Sequence, residues 1–254
     1  MEPIFRKQFT IEDIHTDSSL RLKPSALLYF VQEVAGGHCL ELQLSWEDLA
    51  RKNLFWAVIR NRTQITRLPV SGETVTVETW PMPTTRVAYP RSVIAYDSQG
   101  KELFRSISLW VLMDMNDRAM ILPGKSGVEV NGLIRGSELK APASLMPKPL
   151  ANQCSRQVTY SCLDRNGHMN NTYYLDWVAD LLDQPFHHAH EPREFTICYL
   201  SEALENQRLQ LQWELGEEGL LQVNGYREST DVPGEKNRVF SCQIAYEANN
   251  SLSK

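Results

Sequence analysis

The chain has 254 residues, 42% of them hydrophobic and 22% charged, with a formal net charge of -5. That is the composition of a soluble globular protein, long enough for one large domain or two small ones. The negative balance, with no basic run and no zinc-ligand spacing, argues against a nucleic-acid binder, and no stretch approaches the roughly 20 apolar residues of a membrane span.

The start, Met1-Glu2-Pro3-Ile4-Phe5-Arg6-Lys7, carries neither the apolar core of a signal peptide nor a Ser/Arg-rich transit segment. Cys39, Cys154, Cys162, Cys198 and Cys242 are odd in number and widely spaced, which suits a reducing compartment. The expected location is the cytoplasm. Residues 4–14 read as a strand that ends in the polar turn Thr16-Asp17-Ser18-Ser19. Pro24 suits the first turn of a helix, and Ala26, Leu27, Phe30, Val31 and Val34 follow at helical spacing. Gly36-Gly37 is expected to interrupt or end that helix. Ser45, with Asp48 three residues on, marks the start of a second short helix.

From Phe55 to Pro123 the pattern turns to strands. Residues 55–59, 74–80, 87–96 and 103–114 are rich in branched and aromatic side chains, with turns at 69–72 and 97–100. Several antiparallel strands after one helix predict a sheet wrapped around that helix. Trp46, Phe55, Trp56, Trp80 and Trp110 are expected mostly in the core. Residues 123–151 are the strongest loop signal in the chain, with Gly124, Gly127, Gly132, Gly136, Pro142, Pro147 and Pro149 among them. The expected organisation is a domain over 1–125, a linker over 126–150 and a second domain over 151–254.

After the linker the order recurs. A strand over 156–161 leads to a polar turn, an apolar helix and a polar interval with His187, His188 and His190. Strands are expected next at 194–200, 208–215, 220–228 and 238–247. Setting Phe30 on Trp177, 147 residues apart, also sets Val31 on Val178, Leu28 on Leu175 and Asp17 on Asp164. Ser19 then falls on Asn166 and Arg21 on His168. The chain reads as a duplication whose second copy alone carries the Asn and the His.

That second turn is Leu163-Asp164-Arg165-Asn166-Gly167-His168-Met169-Asn170-Asn171. If it is extended, Asp164, Asn166 and His168 share one face. Leu175, Val178, Leu181 and Leu182 then recur at helical intervals, with Asn170 or Asn171 as N-cap. The first turn of that helix would offer unpaired amides with partial positive charge. Polar side chains beside such donors suit acyl chemistry, although a polar turn capping an ordinary helix reads the same way. The rival sites are weaker. His187, His188 and His190 lack carboxylates at ligand spacing, so a solvated loop explains them. Cys162 and Cys198 lie in apolar runs, where cysteine packs as a small hydrophobe. His38 reads as a helix-end residue, and Asp180 and Asp183 as solvated surface.

The turn from Leu163 to Tyr174 resembles the signature of the acyl-acyl-carrier-protein (acyl-ACP) thioesterases, the plant and bacterial fatty acyl-ACP hydrolases. Leu109-Trp110-Val111-Leu112-Met113-Asp114, with Arg118 and Leu122-Pro123, is similar to the end of that family's first half. The resemblance covers nearly the whole chain. It implies an α+β double hotdog, two fused domains that each wrap a long helix in an antiparallel sheet. The first would hold the acyl chain over a degenerate site, some of the aromatic set lining its tunnel, and the second would be catalytic. The implied catalytic residues are Asp164, Asn166 and His168 from the turn and Glu202 from Tyr199-Leu200-Ser201-Glu202. Plant members commonly carry a Cys directly after that Glu, where this chain has Ala203. The implied reaction hydrolyses fatty acyl-ACP to free fatty acid and carrier. It calls for the carrier as partner, no metal or redox cofactor, no nucleic acid and no membrane, and it leaves room for a homodimer. The alternatives are an acyl-CoA thioesterase of the same fold and a non-catalytic acyl-chain sensor, the latter opposed by the intact Asp/Asn/His/Glu set.

Overall fold

Each half of the chain repeats one order of elements: a strand, a helix, then four strands. The structure, a computed structural model, describes residues 3–228 and 236–249. The chain divides into two units, Met1–Pro142 and Ala143–Lys254. The first contains β1 (Phe5–Thr10), α1 (Pro24–Glu41), α2 (Trp46–Ala50), β2 (Leu54–Ile65), β3 (Thr74–Pro81), β4 (Tyr89–Tyr96) and β5 (Glu102–Asp114). A two-residue strand β6 (Met120–Ile121) pairs with β5, and a single turn α3 (Pro123–Ser126) follows. The second contains β7 (Asn152–Gln157), α4 (Tyr173–Ala179), α5 (Gln184–Ala189), β8 (His190–Tyr199), β9 (Arg208–Leu215), β10 (Leu220–Glu228) and β11 (Lys236–Ala248). Strand order is β1-β3-β4-β5-β2 in the first unit and β7-β9-β10-β11-β8 in the second, with antiparallel pairs. The two sheets therefore match strand for strand. None of the described helices is long and apolar enough to cross a membrane.

Helix α1 starts at Pro24 and buries Leu27, Leu28, Phe30, Val31, Val34 and Ala35 against its sheet. Complete burial of a side chain of Leu or Phe size contributes about 1.5–3 kcal/mol. Gly36-Gly37 does not end the helix, which continues to Glu41. A Cβ at Gly37 would lie 2.6 Å from the Phe5 ring, so the missing side chain is what lets β1 pack there. That contact, and the burial of His38 one residue on, outweigh the helix penalty of about 1 kcal/mol per glycine. Asp48 and Ser45 form the expected capping box on α2.

The second helix is shorter than its apolar spacing implies. α4 stops at Ala179, leaving Leu181 and Leu182 outside it. Pro185 explains the stop, because its ring would clash with the carbonyl of residue 181 in a continuous helix. The chain restarts instead at Asp183, whose carboxylate accepts the Phe186 N–H at 2.9 Å. The histidine interval is therefore helical rather than a loop. The His187 ring nitrogen lies 2.9 Å from the Ala179 carbonyl, and the His190 ring stacks on Phe186 with centroids 4.1 Å apart.

Residues 127–142 form a strap tied to the first sheet. Leu133 N–H donates to Pro81 O (2.9 Å), Arg105 donates to Ser137 O (2.7 Å) and Arg135 donates to Glu78 (2.7 Å). Arg135 also lies over the Trp80 ring at 4.6 Å, and the Trp80 indole donates to Glu138 at 3.2 Å. Thr79 and Arg91 reach towards His38 of α1, so Trp80, next along β3, points away from the helix and towards the strap.

Both sheets carry the same irregularity at the same place. Pairing of β4 with β5 shifts after Ala95 and leaves Leu103 as an extra residue. Pairing of β10 with β11 shifts after Gly225 and leaves Val239. The carbonyl of each extra residue accepts two successive amides: Leu103 O from Thr66 (2.9 Å) and Arg67 (3.1 Å), Val239 O from Leu200 (2.8 Å) and Ser201 (3.1 Å). Such bulges bend a strand and re-aim the side chains beside it. Here the fork ends β2 and β8 and delivers the chain to Leu68 in one unit and Glu202 in the other.

Gly225 sits at the second bulge because nothing larger fits. A Cβ there would lie 2.1 Å from Cε1 of Phe240, a fully buried ring whose centroid is 4.8 Å from that of Tyr174. Gly225→Ala is expected to destabilise the protein by about 1–3 kcal/mol, as overpacking does. A urea unfolding curve reads this as a lower midpoint at unchanged slope. A wild-type midpoint would show that the Phe240 ring can yield.

Candidate active site

The turn between β7 and α4 is built by its own first residue. Asp164 Oδ1 accepts the amides of Asn166 (2.8 Å) and His168 (3.3 Å), and its backbone N–H donates to His168 O at 2.8 Å. The chain can close so tightly because Gly167 adopts φ +76°, which glycine tolerates without a Cβ clash. The turn is thus folded back rather than extended. Asp164 faces the loop's amides, and its Oδ2 takes a long hydrogen bond from Asn166 Nδ2 at 3.4 Å.

His168 points instead at the segment leaving β8. Met169 N–H donates to Ala203 O at 2.8 Å, and His168 bridges to Leu204, so the turn lies beside residues 202–204. His168 Nε2 comes within 3.1 Å of Glu202 Oε2. The imidazole is 12% exposed and the carboxylate 40%, so a sheltered ring meets a carboxylate open to incoming groups. Tyr199 closes the other side of the turn, its hydroxyl donating to Asn171 O at 3.0 Å. Burial holds the Tyr174 phenol well above its ordinary pKa; the charge of Arg227 pulls it down, while Asp164 and Glu202 push with the burial. Tyr174 therefore stays protonated beside the two carboxylates.

One sequence expectation needs correction. The N-cap of α4 is Thr172, not Asn170 or Asn171. Asn170 still braces the helix start: its Oδ1 takes the N–H and the hydroxyl of Thr172 (both 3.0 Å), and its backbone O takes the Tyr173 N–H (3.1 Å). Cysteine chemistry finds no geometry in its favour. Cys162 lies 3.3 Å from Thr159 Oγ1, Cys198 Sγ lies 3.9 Å from Ala143 O, and Ala203 is sealed in the core.

The first unit repeats the turn bond for bond. Asp17 Oδ1 accepts the amides of Ser19 (2.8 Å) and Arg21 (3.1 Å), Asp17 N–H donates to Arg21 O (2.8 Å), and Leu22 N–H donates to Pro69 O (2.8 Å). Leu20 takes the glycine's place and its backbone, at φ +59°. In this frame His168 becomes Arg21, which turns back on Asp17 at 3.4 Å, and Glu202 becomes the buried Leu68. The frame is the same while the side chains at these two positions differ.

One contact could not be foreseen. Arg227, on β10, donates from Nη1 to the backbone carbonyl of Glu202 at 2.7 Å. Nothing in the local sequence marks it, because only the register of β10 on β11 brings it there.

Comparison with known proteins agrees with this architecture. The acyl-ACP thioesterase N-terminal domain matches residues 2–122, and the acyl-ACP thioesterase C-terminal domain matches residues 149–245. A chloroplastic palmitoyl-acyl carrier protein thioesterase of Gossypium hirsutum is 26% identical over 222 residues, 82% of this chain and 54% of that protein. A chloroplastic dodecanoyl-[acyl-carrier-protein] hydrolase of Cinnamomum camphora is 25% identical, over 82% of this chain and 58% of that one. The chain thus spans little more than half the length of these curated relatives. Among solved structures, an acyl-ACP thioesterase from Bacteroides thetaiotaomicron superposes with TM-score 0.82 at 23% identity, covering 96% of this chain and 98% of that one. The 12:0-ACP thioesterase from Umbellularia californica gives 0.80 at 20%, covering 98% and 99%. The fold is the double hotdog.

Proposed function

The chain belongs to the acyl-ACP thioesterase family, and from that premise we propose that it hydrolyses fatty acyl-ACP to free fatty acid and carrier. The observation that carries this reading is the His168–Glu202 pair at 3.1 Å, on a frame whose other copy holds Arg21 and Leu68. A thioester is already activated, so the site needs a placed water, a base and a geometry that lasts. Glu202, oriented by His168, takes a proton from the water as its oxygen adds to the thioester carbon. The tetrahedral adduct then collapses, the carbon–sulfur bond breaks, and the departing thiolate receives that proton. General base catalysis of this kind typically contributes about 100- to 10,000-fold. Asn166 orients the reacting groups, and Asp164 holds Asn166 and His168 through their amides.

The second unit is catalytic in this reading, and the first, with its degenerate turn, holds the acyl chain against α1. A sensor of acyl chains would have no need of an imidazole held against a half-exposed carboxylate. We place the activity in the cytoplasm, where five free cysteines stay reduced. It calls for no nucleic acid or membrane and is compatible with a homodimer.

The test is incubation with a panel of acyl-ACPs and acyl-CoAs, scoring free acid and free thiol. Acyl-ACP is expected to be the better substrate. Carrier proteins are acidic, so turnover of acyl-ACP at low concentration should fall with salt more steeply than turnover of a short neutral thioester. Screening acts over about 10 Å at 0.1 M salt. Preference for acyl-CoA, with equal salt sensitivity throughout, would favour the acyl-CoA thioesterase instead.

A further inference from the structure

The segment that carries Glu202 leaves β8 at the Val239 fork and crosses to the His168 turn. Glu202 lies beyond the end of β8, so its backbone carbonyl has no place in the strand's own ladder and needs another donor. Arg227 supplies one, Nη1 to O at 2.7 Å, in a half-buried setting. The first unit offers an internal comparison. There the matching carbonyl, Leu68 O, also receives a guanidinium, from Arg67 at 3.4 Å. Arg67 comes from the other side of the bond, next in sequence, and is held by Glu73 at 2.6 and 2.8 Å. The position of Arg227, by the register of the two bulged hairpins, is occupied in the first unit by Asp97. The two units therefore meet the same backbone requirement from different positions. Only in the second does the clamped residue carry a carboxylate.

We infer that Arg227 is a positioning residue of the site, its guanidinium fixing the Glu202 backbone so that the carboxylate meets His168. The inference rests on the proposed thioesterase reading, in which Glu202 acts on water. Arg227 is paired with Asn237 of β11 beside the bulge, so the clamp ties the Glu202 backbone to the β10–β11 hairpin. A carboxylate on an unclamped segment would sample orientations that miss the water, and a displacement near 1 Å can cost on the order of 100-fold in rate.

Arg227→Met removes the donor and keeps the length of the side chain. The expected result is a fall in kcat of about 10- to 100-fold with KM changed by less than about threefold. On a Glu202→Gln background the same substitution should have no further effect beyond about twofold, because Arg227 acts through that carboxylate. Arg67→Met is the matched structural variant. It loses more ion pairing, so its stability should fall at least as far, while kcat stays at the wild-type level. If Arg227→Met does not fold, Arg227→Gln, which retains a shorter donor, is put through the same cycle and judged by the same criteria. Wild-type kcat in the Arg227 variant overturns the inference. So does a raised KM at unchanged kcat, which would put Arg227 on the substrate, and so does a full additional loss in the double variant. If Glu202→Gln itself is fully active, the thioesterase site reading fails, and that result is distinct from all of these.

Discussion

Glu202→Gln and His168→Ala are each expected to lower kcat on acyl-ACP by at least about 100-fold, the lower end of general base catalysis. Glu202→Gln keeps shape and hydrogen-bonding reach but cannot take a proton from water. His168→Ala removes the group that holds the carboxylate at 3.1 Å. Neither side chain anchors the core, so circular dichroism and the urea midpoint should remain near wild type. Replacement of all five cysteines by Ala should, in contrast, preserve most of the activity of whatever fraction folds. A thiolate mechanism needs a thiol with lowered pKa near an imidazolium. Burial instead pushes the Cys242 thiol well up, and Cys39, despite Arg91 beside it, is also raised. An inactive but folded Cys162→Ala or Cys198→Ala protein, beside an active Glu202→Gln protein, would overturn the water-activation mechanism.

The second large effect comes from a matched pair of aspartates. Asp164→Ala should lower kcat on the order of 100-fold, since loss of the turn displaces His168. It should also reduce stability by about 1–2 kcal/mol, because two amides lose their acceptor. Asp17→Ala removes the same kind of contact in the first unit, amides of Ser19 and Arg21 at 2.8 and 3.1 Å. Its stability loss should be similar and its kcat unchanged. Kinetics and urea curves on both proteins separate the two. Equal kcat losses would mean that the first turn also takes part in turnover.

The duplication was legible because it is written twice in a strong alphabet, apolar residues at helical spacing followed by alternating strands. The ranges of β9 and β10 follow directly from alternation bounded by Gly216–Gly219. His168 stood out with Asp164 and Asn166 in the turn itself, but Glu202 was legible only through a family resemblance, since it lies on a separate segment and no spacing links it to the turn. What escaped was whatever depends on register or on a distant ring. Gly36-Gly37 looked like a helix end because Phe5, the reason for the second glycine, is far away in sequence. The folded-back turn was hidden because Asp164 reads equally as a side chain on an extended face and as an acceptor for its own loop. The end of α4 was masked by Leu181 and Leu182, whose spacing continues past Ala179 towards Pro185, a residue that can begin the next helix but not extend this one. Arg227 depends on a bulge, and a bulge of one residue leaves no mark in composition.

The forked carbonyl of Val239 has a further consequence. It ties the last turn of β8 to the alignment of β11, and through Arg227 the same alignment reaches Glu202 from the β10 side. A slip of β11 by one residue would exchange the faces of the strand. It would also release both restraints on the carboxylate at once. Specific activity in this protein is therefore a gauge of correct hairpin alignment, and a preparation that is folded but misthreaded should announce itself as protein of native secondary structure with no turnover.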